Sequence, residues 1–291
     1  MKSVQVLDIQ QFEKNTINPD FYANRFVKHL EFYHKSITIP HKHNFYVTVL
    51  FTQGSGIHEI DFNAYTIQPG SIFLLNPGQT HHWVLSDDCD GFIFFHTQAF
   101  YDFQFNSKSI TNFPFFFSTQ NPPFIYMDKE QLEKMTHSFT VILEEYENEY
   151  LLKRQKIISL IDMVYIDMTR LYEKENDTLV HKSNPYADKL KHLERLIEMH
   201  FLTEKSPAGY ADRMNISTKH LNRITKTVLG KTTSDLIIER IILEAKRMFV
   251  QSRDSFTNIA LYLGYDDYAY FSRLFKSKTN ETPSQFIERY K

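Results

Sequence analysis

Cysteine and glycine are scarce in this 291-residue chain, and each scarcity excludes a kind of chemistry. The single cysteine, Cys89, excludes an internal disulfide and is typical of a protein from a reducing compartment. Only eight glycines are present, which argues against a glycine loop that cradles nucleotide phosphates. A Gly-x-Ser-x-Gly elbow is also missing, and Cys89 has no partner placed to activate it. We therefore predict no catalytic residues and no cofactor.

Long apolar runs are missing as well. No stretch approaches the roughly 20 consecutive apolar residues that a membrane helix needs. The first residues carry no apolar segment after Lys2, as a secretory signal would. We expect a cytoplasmic protein that makes no membrane contact.

Charge is distributed unevenly along the chain, although the formal net charge is only −2. Residues 184–291 hold 18 Lys and Arg against 13 Asp and Glu, whereas residues 1–183 hold 15 against 22. The C-terminal part is therefore basic and the N-terminal part acidic. This asymmetry favours a polyanionic partner for the C-terminal part and a different role for the rest.

Aromatic residues are abundant, and they accompany a pattern of short strands over residues 36–97. Apolar segments of four to seven residues alternate there with turn signals such as Pro69-Gly70 and Pro77-Gly78. Regular spacing of this kind predicts a β-barrel or sandwich. Alternate residues from Phe45 to Phe51 share one strand face, and His41 and His43 continue that parity.

Two helices are predicted after the strands. Asp128 and Gln131 have the spacing of a capping box at the start of the first helix, and the second covers about 151–172. Together they form a hairpin whose apolar faces could cover the strands, a second subunit, or both. A polar segment with Asn184-Pro185 follows. We predict an N-terminal domain over 1–175, a linker over 176–184 and an all-α domain over 185–291.

The all-α part contains a repeat with an offset of about 50 residues. Arg223 matches Arg273 and Lys226 matches Lys276, while Asn215 matches Gly264 at an offset of 49. Each copy has the pattern of helix, tight turn and helix. Asn215 or Gly264 stands where the first helix ends, and both residue types tolerate a left-handed cap. We predict two helix-turn-helix units joined by a long helix over 233–252.

Polar and basic side chains project from the second helix of each copy, opposite its apolar positions. Short polar and guanidinium groups on an exposed helix face suit the reading of base edges, and lysines one turn later suit phosphates. The residues on these faces are Lys219, Asn222, Arg223 and Lys226 in the first copy, and Ala269, Ser272, Arg273 and Lys276 in the second.

The C-terminal segment resembles the signature of the AraC/XylS family of transcription regulators. The residues that carry the resemblance are Ile259, Ala260, Gly264, Tyr265, Tyr270, Phe271, Arg273, Phe275, Lys276, Thr282 and Pro283. The sequence departs from the family pattern at Asn280 and Asn215, where glycine is usual, and at Thr225, where phenylalanine is common. The resemblance implies that the two recognition helices enter successive major grooves of double-stranded DNA. By position it assigns the first groove to Thr218, Lys219, Asn222 and Arg223, and the second to Asp267, Tyr268, Ala269, Ser272 and Arg273.

The strand region resembles the cupin-like ligand-binding domain found at the N-terminus of this family. His41-Lys42-His43 and the segment from Pro77 to His81 are similar to the two cupin motifs. Metal-binding cupins have an acidic residue after the first histidine pair, and none follows His43 here. Three imidazoles could still form a metal site, but without the carboxylate we predict no metal. We predict a small-molecule effector site that includes His41, His43, Tyr46, His81 and Trp83.

The overall prediction is a two-domain α+β transcription regulator. Its cupin-like β-barrel and helical hairpin bind an effector, and its double helix-turn-helix domain binds DNA. We expect a homodimer through the helices at 128–172, with RNA polymerase as a further candidate partner. Two alternatives stay open. One is a metal-dependent cupin enzyme or metal sensor fused to a DNA-binding domain. The other is an effector-independent regulator that uses the barrel only to dimerise.

Overall fold

The structure is a computed structural model that describes residues 6–12, 20–37, 39–104, 109–117, 121–175, 186–252 and 254–289. The chain divides into two compact units, and the division falls after Glu175. The predicted linker, 176–184, lies outside the described residues. Among the described helices, none is long and apolar enough to cross a membrane.

Ten strands in the N-terminal unit form two five-stranded sheets. The strands are β1 (Val6–Leu7), β2 (Phe21–Arg25), β3 (His41–His43), β4 (Tyr46–Gln53), β5 (Gly56–Ile60), β6 (Asn63–Ile67), β7 (Ser71–Leu75), β8 (Thr80–Leu85), β9 (Asp90–His96) and β10 (Phe124–Tyr126). The strand order is β1-β3-β8-β5-β6 in one sheet and β10-β7-β4-β9-β2 in the other. All described pairs are antiparallel except β1 with β3.

The expected β-rich domain is present, but its strands pair as two sheets rather than as one closed barrel. In the described residues, no hydrogen-bonded strand pair joins one sheet to the other. The two sheets face each other and share a core of apolar and aromatic side chains. Val47, Phe73 and Phe95 enter that core from one sheet, and Ile60 and Trp83 enter it from the other. Alternation along each strand produces this arrangement, because every second residue points inward.

Where the structure describes it, the same unit also has five α-helices: α1 (Phe26–Ile37), α2 (Gln98–Asp102), α3 (Pro114–Phe117), α4 (Lys129–Glu147) and α5 (Lys153–Glu175). The predicted capping box at the start of α4 is confirmed, since Asp128 and Gln131 each accept a hydrogen bond from the other's backbone N–H. The hairpin of α4 and α5 covers the outer face of the second sheet, where Phe139 and Ile161 pack with Phe94. Most of its apolar stripe is therefore core within one chain.

The described residues of the C-terminal unit form seven helices: α6 (Ala187–His200), α7 (Pro207–Arg213), α8 (Thr218–Leu229), α9 (Thr233–Gln251), α10 (Phe256–Tyr262), α11 (Tyr268–Thr279) and α12 (Pro283–Glu288). The long helix α9 packs against α6, α8, α10, α11 and α12, so it forms the spine of the unit. Helix α12 begins with Thr282 as N-cap, Pro283 in the first turn and Gln285 completing a capping box.

The turns of the two helix-turn-helix units have the same backbone conformation. Asn215 has φ +52° and Gly264 has φ +82°, so both residues adopt the left-handed conformation that the sequence predicts. In each turn the next residue donates its N–H back to an alanine carbonyl, Ile216 to Ala211 at 3.0 Å and Tyr265 to Ala260 at 2.9 Å. The asparagine therefore replaces glycine without changing the turn.

Candidate DNA-binding surface and buried histidine cluster

Helix α8 presents a basic face to solvent. Its N-cap is Ser217, which accepts the N–H of His220, and its apolar side buries Leu221 and Ile224 completely. Lys219, Arg223 and Lys226 lie on the exposed side, and Thr218 in the first turn is half-buried. This is the spacing that the sequence predicts for a recognition helix.

An open groove lies along this face and continues onto the start of α9. Lys219, Arg223 and Lys226 line it on the α8 side, and Thr232 and Ser234 line it on the α9 side. The sequence prediction missed the contribution of α9. The repeat itself contained the signal, because Ser234 matches Ser284 at the same 50-residue offset.

Asn222 has a structural partner that the sequence prediction did not foresee. Its Oδ1 accepts the backbone N–H of Thr233 at 3.0 Å, at the first position of α9. Thr225, which departs from the family pattern, is fully buried and donates its hydroxyl to the backbone carbonyl of Asn222 at 3.2 Å. The side-chain oxygen of Asn222 is thus engaged within the protein, and its amide nitrogen is the atom left to contact DNA.

Helix α11 presents the corresponding face of the second copy. Phe271 and Phe275 are fully buried beneath it, while Ala269, Arg273 and Lys276 are exposed and Ser272 is half-buried. Two of the predicted base-reading residues also have structural roles. Asp267 is the N-cap of α11 and accepts the N–H of Ala269, and the Tyr268 ring stacks on Phe256 at 6.2 Å.

Arg240 of α9 ties the spine to α6. Its Nε and one terminal nitrogen donate to the carboxylate of Glu198 at 2.6 and 2.8 Å, and the other terminal nitrogen donates to Glu244 at 2.9 Å. The guanidinium also stacks over Phe201, 4.0 Å from the ring centre. The paired hydrogen bonds to Glu198 hold α9 against α6. The recognition helices pack on α9, so their orientation depends on the position of α9.

Four histidines meet in the core between the two sheets of the N-terminal unit. His41 pairs across strands with His81, and His58 pairs with Trp83. His43 lies two residues beyond His41 and therefore faces the same way. All four imidazoles and the indole are buried. The sequence prediction missed His58, although it shares strand parity with the buried Ile60.

Hydrogen bonds connect three of these rings. His43 Nε2 lies 2.6 Å from His81 Nε2, and His58 Nε2 lies 2.9 Å from His81 Nδ1. His41 is held separately by the carbonyl of Ile39, 2.9 Å from its Nδ1. Burial lowers the pKa of His41 to about 4 and lowers the pKa of His43, His58 and His81 well below the ordinary value. The imidazoles are therefore neutral at physiological pH.

Tyr46 does not join this group, which corrects the predicted effector site. It points to the opposite face of its strand, where it stacks on His96 at 5.4 Å and contacts Phe116. The reason is strand parity, because Tyr46 is an odd number of residues from His43. The other four predicted residues, His41, His43, His81 and Trp83, lie together.

The two units together define a class of protein, a helix-turn-helix DNA-binding protein with a ligand-binding domain. A family model described as a helix-turn-helix domain matches residues 210–289, and one described as an AraC-like ligand-binding domain matches residues 28–124. The chain belongs to the AraC/XylS family of DNA-binding transcription regulators.

Curated relatives match along most of their length. The HTH-type transcriptional activator RhaS of Escherichia fergusonii is 23% identical over 249 residues, covering 84% of this chain and 86% of that protein. The arabinose operon regulatory protein of Escherichia coli K12 is 22% identical over 246 residues, covering 83% of this chain and 80% of the relative. Both relatives are named as regulators of transcription.

Solved structures that match the chain include ToxT from Vibrio cholerae bound to an unsaturated fatty acid. It is 16% identical, covers 94% of this chain and 96% of its own, and gives a TM-score of 0.44. The C-terminal domain of the response regulator yesN from Fusobacterium nucleatum is 20% identical, covers 34% of this chain and 97% of its own, and gives a TM-score of 0.33.

Proposed function

We propose that this regulator reads two successive major grooves of DNA with α8 and α11, under the control of a small effector bound by its N-terminal unit. The DNA-binding part of the proposal rests on one observation. Arg223 and Lys226 are exposed on α8, and Arg273 and Lys276 are exposed at the matching positions of α11. Both pairs follow a left-handed turn of the same conformation and lie on a helix packed against α9. Arginine pairs with guanine edges through two hydrogen bonds, and lysine suits phosphates.

The effector part of the proposal rests on the ring-lined core between the two sheets. A small-molecule site combines apolar walls with a few convergent polar groups, and the core offers aromatic rings beside four neutral imidazoles. We propose that the effector contacts this region through His41, His43, His81 and Trp83. An effector that binds one DNA-binding state better than the other shifts the population towards that state.

Trp83 is the only tryptophan in the chain, so its fluorescence can report effector binding in this core. A metabolite that enters the core changes Trp83 fluorescence and raises the melting temperature. A ligand at 100 times its Kd adds about 2.7 kcal/mol of stability. The same ligand should shift DNA affinity in a gel-shift titration. A ligand that binds but alters neither DNA affinity nor oligomeric state contradicts effector control and favours the effector-independent alternative.

We further propose a homodimer that uses the hairpin of α4 and α5. Although most of the hairpin's apolar stripe packs on the sheet, Met163 on α5 is 60% exposed, and Leu151 and Leu152 at its tip are 91% and 62% exposed. Replacing Met163 with glutamate should shift the full chain towards monomer in sedimentation. The matched control is Val84→Glu, because Val84 is 62% exposed and lies on β8, outside the hairpin. RNA polymerase is the partner that an activating regulator would contact, which a transcription assay on the selected DNA site tests.

A further inference from the structure

A lysine in the segment after α6 connects the two helix-turn-helix units directly. Lys205 donates its Nζ to the backbone carbonyls of Phe201 and Leu202, and the same Nζ lies 5.6 Å from the centre of the Tyr265 ring. We propose that Lys205 is a positioning residue that holds the two helix-turn-helix units in one relative orientation and so selects the spacing of the DNA blocks they read. The selection of spacing rests on the proposed recognition of two grooves, whereas the orientation is a property of the protein alone.

The hydrogen bonds of Lys205 anchor it to the first helix-turn-helix unit. Helix α6 packs against α7 and α8, and the carbonyls at its C-terminal end need donors because no further helical N–H reaches them. An ammonium group there also complements the negative end of the helix dipole. Burial lowers the pKa of Lys205 to about 8, so the group is mostly protonated at neutral pH and can donate both hydrogen bonds.

The aromatic contact connects Lys205 to the second recognition helix. Tyr265 packs on Phe271 of α11, with 5.1 Å between the ring centres, and Phe271 is fully buried. The quadrupole of a tyrosine ring attracts a cation that lies over its face. A movement of α11 relative to α6 would therefore separate Lys205 from Tyr265 and lose this attraction.

The backbones of the two helix-turn-helix units also come close at this point. A Cβ atom added to Gly264 would lie 2.9 Å from the carbonyl oxygen of Leu202 and 3.2 Å from Cε and Nζ of Lys205. Glycine therefore allows the turn of the second unit to approach the end of α6. Lys205 thus bridges two backbone segments that are already near contact.

This bridge adds a second connection to the one that α9 provides. Both helix-turn-helix units pack on α9, but a long helix bends, so one shared helix leaves the units some freedom to move relative to each other. The contact between Lys205 and Tyr265 does not pass through α9. Two separate connections restrict the bending that one connection permits.

The helix-turn-helix fold itself does not require this pair of residues. At the 49-residue offset of the repeat, Lys205 matches Asp254 and Tyr265 matches Ile216. Lys205 and Asp254 each stand just before the serine N-cap of their helix, and Ile216 makes the same backbone hydrogen bond as Tyr265 without a ring. The lysine and the tyrosine therefore serve the contact between the two copies and not the fold of either copy.

The orientation is measured on the full chain without DNA. Spin labels at Thr227→Cys and Ser277→Cys, in a Cys89→Ser background, occupy matching exposed positions of α8 and α11. The labelled chain is diluted with excess unlabelled chain, so that distances between two copies do not contribute. Double electron–electron resonance should give one narrow distance distribution, and Lys205→Met should broaden it.

The matched control is Lys246→Met, which removes a similar contact that does not join the two helix-turn-helix units. Nζ of Lys246, on α9, lies 5.5 Å from the centre of the Phe286 ring on α12. This variant should keep the narrow distribution. Broadening in both variants would mean that the loss of any such lysine loosens the domain, which contradicts a specific role for Lys205.

The effect on DNA recognition is measured with sites in which the two blocks are moved apart or together by one base pair. Each base pair rotates one block by about 34° around the DNA axis relative to the other. The unsubstituted chain and Lys246→Met should lose at least about 10-fold in affinity, comparable to one mismatched base pair, whereas Lys205→Met should lose less than about threefold. A general loss of stability would not make the chain more tolerant of spacing.

The proposal is overturned if Lys205→Met keeps the narrow distribution, or if it loses as much affinity as the unsubstituted chain when the spacing changes. Should Lys205→Met fail to fold, Tyr265→Leu removes the other side of the contact, and a narrow distribution in that variant overturns the proposal. An unsubstituted chain that binds all spacings equally contradicts the recognition of two grooves instead. The distance distributions then decide by themselves whether Lys205 fixes the orientation.

Discussion

The Oδ1 atom of Asn222 accepts the backbone N–H of Thr233 at 3.0 Å, which joins the first recognition helix to the helix that follows it. The second copy of the repeat has Ser272 and Pro283 at the matching positions. Proline has no N–H, so the second copy neither needs nor allows this contact. Two side chains that occupy equivalent places in the repeat therefore differ in function. Asn222 joins α8 to the start of α9 through this hydrogen bond, whereas Ser272 is expected to contact DNA.

Asn222→Ala should lower the free energy of unfolding by about 1–2 kcal/mol, because the N–H of Thr233 loses its acceptor beside the fully buried Thr233 side chain. Ser272→Ala is the matched control and should change stability by less than about 0.5 kcal/mol. Urea unfolding of the full chain, followed by circular dichroism, measures both. Equal losses in the two variants would show that the hydrogen bond to Thr233 does not stabilise the unit.

Arg273→Ala should weaken binding to the preferred DNA site by about 1–3 kcal/mol and relax the preference at one base position. The reason is that its guanidinium is exposed on α11, where the proposed function has it pair with a base edge. Lys276→Ala, one turn later, is the comparison and should weaken binding to all sequences alike. It should also reduce the slope of log affinity against log salt concentration by about one, because one phosphate contact is lost. Gel-shift titrations on matched and mismatched sites, at several salt concentrations, separate the two. A uniform loss for Arg273→Ala would make it a phosphate contact.

Gly264→Ala should destabilise the C-terminal unit by about 1–2 kcal/mol or more. A side chain there is strained at φ +82°, and its Cβ would lie 2.9 Å from the carbonyl oxygen of Leu202. Asn215→Gly at the matching turn should be nearly neutral, because φ +52° suits either residue. Denaturant midpoints of the full chain compare the two substitutions. A neutral Gly264→Ala would contradict the close approach to Leu202.

His96 should make the fold sensitive to mild acid. Its Nδ1 donates to the carbonyl of Thr97 and its Nε2 accepts from the hydroxyl of Tyr165, while burial lowers its pKa to about 4. Tyr46 and Tyr101 also face the ring, and burial raises the pKa of both phenols far above their ordinary value. None of these phenols ionises in acid.

The sign of the effect follows from the lowered pKa. Above pH 6.5, His96 is neutral in both the folded and the unfolded chain, so it does not lower the free energy of unfolding. Between pH 6.5 and 4 the unfolded chain binds a proton that the folded chain excludes, so stability falls by about 1.4 kcal/mol per pH unit for this group. His96→Gln should remove that part of the slope. Unfolding free energies measured at several pH values test this, and an unchanged slope for His96→Gln would contradict the assignment.

Local features of the fold could be predicted because their causes lie within a few residues. The capping boxes at Asp128 and Thr282 and the left-handed residues Asn215 and Gly264 all depend on short-range hydrogen bonds and backbone geometry. The long helix predicted over 233–252 is present as α9, Thr233–Gln251. The prediction that the C-terminal unit binds DNA depended on the family resemblance.

Features that depend on distant pairing were missed. Strand β2 forms through its pairing with β9, some 70 residues later, and its own sequence shows no strong alternation. The same holds for β10, which pairs with β7. His58 joins the histidine cluster only because β5 lies beside β8, a register that no local pattern encodes. Tyr46 was grouped with the histidines in the predicted effector site, although strand parity alone places it on the opposite face.

Recognition of two successive DNA grooves is tested most directly by selecting DNA sites from a random pool with the full chain. Selected sequences should contain two conserved blocks whose centres lie about one helical turn apart, 10–10.5 base pairs. Arg223→Ala should relax one block only, and Arg273→Ala the other only. A single conserved block, or a pool that both variants select unchanged, would contradict recognition by two helix-turn-helix units.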